Sequence, residues 1–99
     1  MLRITLQDLP TEVTLKLEGR VGSDSVGELE RSWQTVCRSL GGRRLCLDIR
    51  GITFVSPEGR QLLARIYKET RNDFRANTPL TNFLAEEASG RNVQQKERM

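Results

Sequence analysis

The spacing of apolar residues changes repeatedly along this chain, and each change restricts the structure that the segment can adopt. Apolar and polar residues first alternate over residues 2–7 and again over 13–18, which is the period of strands with one face in solvent. The turn-forming stretch Asp8-Leu9-Pro10-Thr11 separates them. We therefore predict that two strands pair as an antiparallel hairpin at the start of the chain.

After Gly19 the apolar residues recur every three or four positions, which places them on one face of a helix. Ser25 and Glu28 fit a capping box at the start of this helix, and Gly41-Gly42 fits a left-handed stop at its end. The apolar face consists of Val26, Leu29, Trp33, Val36, Cys37 and Leu40.

The next segments predict another strand and another helix. Leu45–Ile49 is a short apolar run of the kind found in strands buried on both faces, and a strand-helix-strand crossover makes it parallel to the second strand. The segment Ile52–Arg60 leads into helix two, with Ser56 as N-cap and Pro57 at the first helical position. This helix is expected to end near Asn72, and its buried face consists of Leu62, Leu63, Ile66 and Tyr67.

The remaining chain predicts a short edge strand at Phe74 and Ala76 and a short third helix opened by Thr78-Pro79. Residues 91–99 have almost nothing apolar to bury, so we expect a mobile polar tail after one domain spanning residues 1–90. The predicted fold is α/β, with a mixed central sheet of about four strands and the order β-β-α-β-α-β-α.

Composition argues against several classes of function. The chain has no histidine and only two distant cysteines, Cys37 and Cys46, so it has no zinc-ligand spacing, no histidine base and no disulfide framework. Paired catalytic carboxylates and a phosphate-binding glycine loop are also missing. We therefore expect no enzyme activity, no metal site, no catalytic residue and no cofactor.

Charge and hydropathy bear on partners and location. The formal net charge is +3, but Arg91, Lys96 and Arg98 against Glu97 place +2 of it in the last nine residues. Elsewhere acids and bases are interleaved, which argues against a nucleic-acid surface. No apolar run is long enough to span a membrane, and the N-terminus lacks the apolar region of a secretory signal. We expect a cytoplasmic protein that neither binds nucleic acid nor inserts into a membrane.

Two passages resemble the STAS domain, the family of bacterial anti-sigma factor antagonists and of cytoplasmic domains of sulfate transporters. The first is Leu17-Glu18-Gly19-Arg20-Val21 before helix one, and the second is the strand-loop-helix passage 47–63. The resemblance covers about residues 2–89. It implies a STAS-like fold and a bacterial protein in signal transduction and transcription regulation, which acts through protein–protein interaction.

In the antagonists the passage contains Asp-Ser-Ser-Gly or a near variant, and a partner anti-sigma kinase phosphorylates the second hydroxyl residue. When Phe54 and Gly59 are matched, the family's Asp falls at Ser56, the next Ser at Pro57 and the phosphorylated residue at Glu58. Gly22 stands where the antagonists often carry an Asp that contacts the kinase. The resemblance thus implies an antagonist-like module that is not switched by phosphorylation at residue 58.

Glu58 and Ser56 each have two interpretations at this point. Glu58 either imitates a phosphorylated side chain with a permanent negative charge or is a favourable residue in the first turn of a helix. Ser56 is either a displaced phosphorylation site on an exposed loop or the cap of helix two, which the following proline favours. The expected partner-binding residues are Ser23, Asp24, Ser25, Ser56, Pro57, Glu58, Gly59 and Arg60.

The resemblance leaves two kinds of protein partner open. One is an anti-sigma kinase-like protein, and the alternative makes the chain a small cytosolic STAS subunit docked on a membrane transporter complex. A homodimer is a further possibility.

Overall fold

The computed structural model describes residues 1–90, and the predicted tail at residues 91–99 lies outside this range. The elements follow the predicted order β-β-α-β-α-β-α, with one additional 3₁₀ turn between the second strand and the first helix. In chain order they are β1 Leu2–Asp8, β2 Glu12–Val21, the 3₁₀ turn Ser23–Ser25, α1 Val26–Arg38, β3 Arg44–Val55, α2 Pro57–Thr70, β4 Asp73–Arg75 and α3 Pro79–Ala88.

The four strands form one mixed sheet in the order β1-β2-β3-β4. The antiparallel pairing of β1 with β2 confirms the predicted hairpin, and the parallel pairing of β2 with β3 confirms the predicted crossover. The short strand β4 pairs parallel to β3 at the other edge. Because every crossover helix connects parallel neighbours in the same direction along the sheet, right-handed connections place the helices on one face.

One hydrophobic core lies between the helices and this face of the sheet. Trp33 belongs to this core, as predicted, while Cys46 is buried and Cys37 is only partly buried. The opposite face of the sheet carries polar and charged side chains, because strand residues alternate between the two faces. There Arg75 on β4 reaches across β3 to Glu12 on β2, with 3.1 Å between nitrogen and oxygen, and Cys46 of β3 is buried.

Several predicted boundaries differ from the structure. Strand β4 spans Asp73–Arg75 and does not include Ala76. The predicted capping box of helix one is wrong, because Ser25 has helical dihedrals, lies in the 3₁₀ turn and makes no side-chain cap bond. Strand β3 continues beyond Ile49 to Val55, because β2 pairs with it as far as Val21. Two register shifts in this pairing accommodate the additional residues of β3. Helix α2 ends at Thr70, where Arg71 takes a left-handed conformation with φ 51°.

The third helix begins as predicted, with Thr78 as N-cap and Pro79 in the first turn. Thr78 and Thr81 cap the helix reciprocally, which satisfies backbone N–H groups that have no partner within the helix. Two apolar residues of this helix, Leu80 and Phe83, remain exposed, while Leu84 and Ala88 pack into the core.

Candidate functional site

The carboxyl ends of the parallel strands β2 and β3 bring the predicted binding segments together at one edge of the sheet. Val21 and Val55 are register partners, and the backbone N–H of Ser56 donates to the carbonyl of Val21 at 2.8 Å. The 3₁₀ turn follows β2 and helix α2 follows β3. Segments 23–25 and 56–60 are therefore neighbours, although thirty residues lie between them in sequence.

Ser56 caps helix α2. Its backbone is extended, with φ −70° and ψ 164°, and its hydroxyl accepts a hydrogen bond from the Gly59 N–H at 3.1 Å. Pro57 occupies the first turn, where its missing N–H has no cost. The expectation that Ser56 is an exposed hydroxyl is wrong, because the residue is only 4% exposed. This geometry favours the capping interpretation of Ser56 over the displaced phosphorylation site.

Gly59 lets the first turn of α2 approach the strand ends closely. A Cβ atom at this position would lie 2.7 Å from Val55 Cγ1 and 3.0 Å from Val21 Cγ1. Both distances are far below van der Waals contact between carbon atoms, which lies near 3.5–4.0 Å. Gly59 is buried and forms the base of the site, so it supports the neighbouring side chains and offers no contact surface of its own.

Glu58 projects from this turn into solvent and connects the two segments. The hydroxyl of Ser23 donates to Glu58 Oε1 at 3.0 Å. Hydrogen bonds from its own backbone N–H, then from the hydroxyls of Ser23 and Ser56, lower the pKa of Glu58 below its ordinary value. The carboxylate is therefore ionised at neutral pH, as an anion at the positive end of a helix should be. An acid with a lowered pKa is a poor proton carrier near neutral pH.

The remaining predicted residues differ in exposure. Within the 3₁₀ turn, Asp24 is exposed beside Ser23, whereas Ser25, its last residue, is buried. Arg60 is exposed, but its guanidinium is paired with Glu87 of α3. Arg60 Nε donates to Glu87 Oε1 at 3.0 Å, and Arg60 Nη2 donates to Glu87 Oε2 at 3.2 Å. Ser25 therefore does not lie on the surface, and the ion pair of Arg60 with Glu87 joins α2 to α3.

An aromatic residue that the sequence analysis does not assign to the site lies on the same strand ends. Phe54 precedes Val55 on β3 and is 39% exposed, and the guanidinium of Arg20 lies 4.4 Å from its ring centroid. The two residues are register partners on β2 and β3. By the period of two, Phe54 would share a face with the buried Ile52, so the sequence carries no signal of its exposure. The register shift of β3 against β2 between these two residues turns Phe54 outward and Val55 inward.

The surface at this edge offers the carboxylates of Asp24 and Glu58, the hydroxyl of Ser23, and the exposed ring of Phe54 beneath the Arg20 guanidinium. Within residues 1–90, no group of three or more His, Cys, Asp and Glu side chains could hold a metal ion. The described helices also include none that is long and apolar enough to cross a membrane. What the arrangement can do chemically is present a fixed negative charge to a docking surface.

Comparisons with known proteins bear on this fold. No protein-family model matches the sequence, and no curated protein matches it. Solved structures do match. An anti-sigma factor antagonist from Mycobacterium paratuberculosis has a TM-score of 0.75 and 15% identity, over 97% of this chain and 82% of that chain. The unphosphorylated anti-sigma factor antagonist SpoIIAA has a TM-score of 0.59 and 12% identity, over 83% of this chain and 80% of that chain.

A third solved structure, that of Mglu, matches 76% of this chain with a TM-score of 0.61 and 14% identity. This chain spans only 19% of the length of Mglu. The described elements define a class of α/β proteins in which helices cover a mixed sheet and two loops meet at the carboxyl edge of its parallel strands. Within that class, the fold is STAS-like, as in the anti-sigma factor antagonists.

Proposed function

We propose that this chain is a non-enzymatic regulatory module that binds another protein through the docking edge, meaning segments 23–25 and 56–60. The observation that carries the proposal is the exposed Glu58 carboxylate, which the Ser23 hydroxyl holds across the two segments at 3.0 Å. The STAS-like fold shared with anti-sigma factor antagonists supports a regulatory role.

Glu58 acts in this proposal as a permanent anion where the antagonist pattern has a phosphorylatable hydroxyl. A carboxylate carries one negative charge, whereas a phosphoserine carries about −1.5 to −2 and has three acceptor oxygens. Glu58 therefore carries less negative charge than a phosphoserine. Its position in the first turn of α2 still places the carboxylate in the favourable field of the helix dipole. The module is then held in one signalling state and is not switched at residue 58.

The first partner class in this proposal is an anti-sigma kinase-like protein in a bacterial cytoplasm, where the module contributes to transcription regulation. Both cysteines are unpaired, which suits a reducing compartment. A transporter subunit is the other candidate, and capture of partners from the native host separates the two. A kinase-like or sigma-regulatory protein supports signalling, while an ABC-type ATPase or a permease supports transport.

Binding of the captured partner then tests the role of Glu58. We expect Glu58→Ser and Glu58→Gln to change the affinity in the same direction by about tenfold or more, which corresponds to about 1.4 kcal/mol. Glu69→Gln is the matched control, since Glu69 is an exposed glutamate on the same helix, near its other end. Equal affinity of the wild type and both Glu58 variants contradicts the proposal.

Ser23→Ala tests the connection between the two segments. The variant removes one of the hydrogen bonds that lower the pKa of Glu58, so this pKa should rise toward the ordinary glutamate value. An NMR titration of the Glu58 side-chain carboxyl carbon measures the shift, with Glu69 as internal reference. An unchanged pKa of Glu58 would show that the Ser23 hydroxyl does not hold the carboxylate in solution.

A further inference from the structure

The two edges of the sheet differ in how well they are protected against pairing with another strand. Strand β4 has only three residues, and Arg44 of β3 makes an ion pair with its first residue, Asp73, at 3.2 Å. Strand β1 has seven residues and pairs with β2 without any register shift. Natural proteins usually protect an edge with a short strand, a bulge, a proline or charged side chains. Of these devices β1 has only the charges of Arg3 and Asp8, near its two ends.

Half of the β1 backbone points away from the sheet. The bonds from Arg20 N–H to the Met1 carbonyl, at 3.1 Å, and from Leu9 N–H to the Glu12 carbonyl, at 3.0 Å, show that odd-numbered residues of β1 pair with β2. The even-numbered residues therefore direct their N–H and C=O groups outward. No other strand within residues 1–90 lies beyond this edge.

A groove of about 400 Å³ runs beside the same edge, between β1 and α1, and four apolar and four polar residues line it. Ile4 and Leu6 line its floor, and Leu6 is 53% exposed, although it lies on the helix-covered face of the sheet. Glu28 and Arg31 on α1 form part of its wall. When an extended segment adds to a sheet edge as a further strand, it pairs with the free backbone groups and covers apolar side chains beside them. The edge of β1 with Leu6 offers both features.

We propose that this edge binds a second copy of the chain, so that two β1 strands pair antiparallel about a two-fold axis at Thr5. In this register the outward-facing Ile4 of one copy lies opposite Leu6 of the other, and both exposed leucines become covered. Arg3 lies opposite Gln7, so no like charges meet across the strands. A two-fold axis requires such a self-complementary surface.

The helices of the two copies are also complementary in charge. Strands lie about 4.8 Å apart, so two helices above the β2 strands would be roughly 14 Å apart across the axis. This exceeds the usual helix-packing distance of about 8–10 Å, and long side chains must span the gap. Glu28 and Arg31 lie three residues apart on the groove wall, so an antiparallel copy can set Glu28 against Arg31 of the second copy.

Sedimentation equilibrium of the full chain over a range of concentrations tests the proposal. We expect a species of twice the 11.3 kDa chain mass, and Leu6→Lys should raise its dissociation constant by about tenfold or more. Leu80→Lys is the matched control, because Leu80 is an exposed leucine, at 39%, on α3 and outside the proposed strand pairing. Circular dichroism checks that both variants remain folded.

Disulfide trapping tests the register separately. Thr5→Cys places two thiols opposite each other in a non-hydrogen-bonded pair, where Cα atoms lie about 4.5 Å apart, within disulfide reach. In Gln7→Cys the two thiols are four residues apart along the strands, roughly 13 Å, and should cross-link slowly. The wild type gives the background from Cys37 and Cys46.

A chain that stays monomeric up to millimolar concentration overturns the proposal, as does a dimer that Leu6→Lys leaves unchanged. Equal cross-linking of Thr5→Cys and Gln7→Cys overturns the register. These measurements need no other protein, so they are independent of the test of the docking edge.

Discussion

Replacing Gly59 by alanine tests whether the close approach of α2 to the strand ends holds the docking edge together. The added methyl would lie 2.7 Å from Val55 Cγ1 and 3.0 Å from Val21 Cγ1. Valine is β-branched and stiff at χ1, so neither side chain can rotate away without strain. The clash must therefore move the helix, which also carries Glu58.

The magnitude follows from two opposing effects. Overpacking a buried position typically costs about 1–3 kcal/mol. Alanine in place of glycine in a helix recovers up to about 1 kcal/mol. With the full recovery, we therefore expect Gly59→Ala to lower the free energy of unfolding by up to about 2 kcal/mol. For a domain of this size, each kcal/mol corresponds to about 4–8 °C in Tm.

Gly27→Ala supplies the matched control on α1. Gly27 is exposed, and the nearest atom to a Cβ placed there is a guanidinium nitrogen of Arg31 at 3.5 Å, which is ordinary contact. This variant should gain about 0.5–1 kcal/mol, because only the propensity effect remains. Urea and thermal unfolding of both variants measure the difference. The reasoning is refuted if Gly59→Ala is as stable as Gly27→Ala.

Substitutions at two further positions test the cap and the polar face of the sheet. Ser56→Ala should cost about 1 kcal/mol through loss of the cap bond to Gly59, whereas Ser56→Thr should retain part of the stability, because threonine also caps helices and adds no charge beside Glu58. If Ser56 is instead a phosphorylation site, intact-mass analysis of protein from the native host will show a phosphorylated fraction. Asp48 is buried, and hydrogen bonding to Arg50 chiefly lowers its pKa, so its stabilising contribution is present above the ordinary aspartate pKa and is lost as pH falls through the lowered value. Asp48→Asn should cost about 1–2 kcal/mol at pH 7 and weaken this acid dependence, which urea unfolding between pH 2 and 7 measures.

The sequence predicts most of the fold because its signals are local. Alternation of apolar residues identifies β1 and β2, the three-and-four spacing identifies α1, and the Ser56-Pro57 and Thr78-Pro79 pairs mark the starts of the next two helices. The missed boundaries depend on distant partners. Strand β3 extends to Val55 because β2 supplies backbone groups to pair with, and no pattern within the segment carries that information.

The sequence by itself determined the order of the elements, the cap of α2 and the presence of an acid at residue 58, since each depends on residues a few positions apart. Only the tertiary structure decided that Ser23 reaches Glu58, that Ser25 is buried and that Arg60 is paired with Glu87. These features depend on residues far apart in the chain. Parallel pairing of β2 with β3 brings Ser23 to Glu58, and the packing of α3 against α2 brings Glu87 to Arg60. The same is true of the free edge of β1, because a strand is an edge only once the positions of all the other strands are fixed.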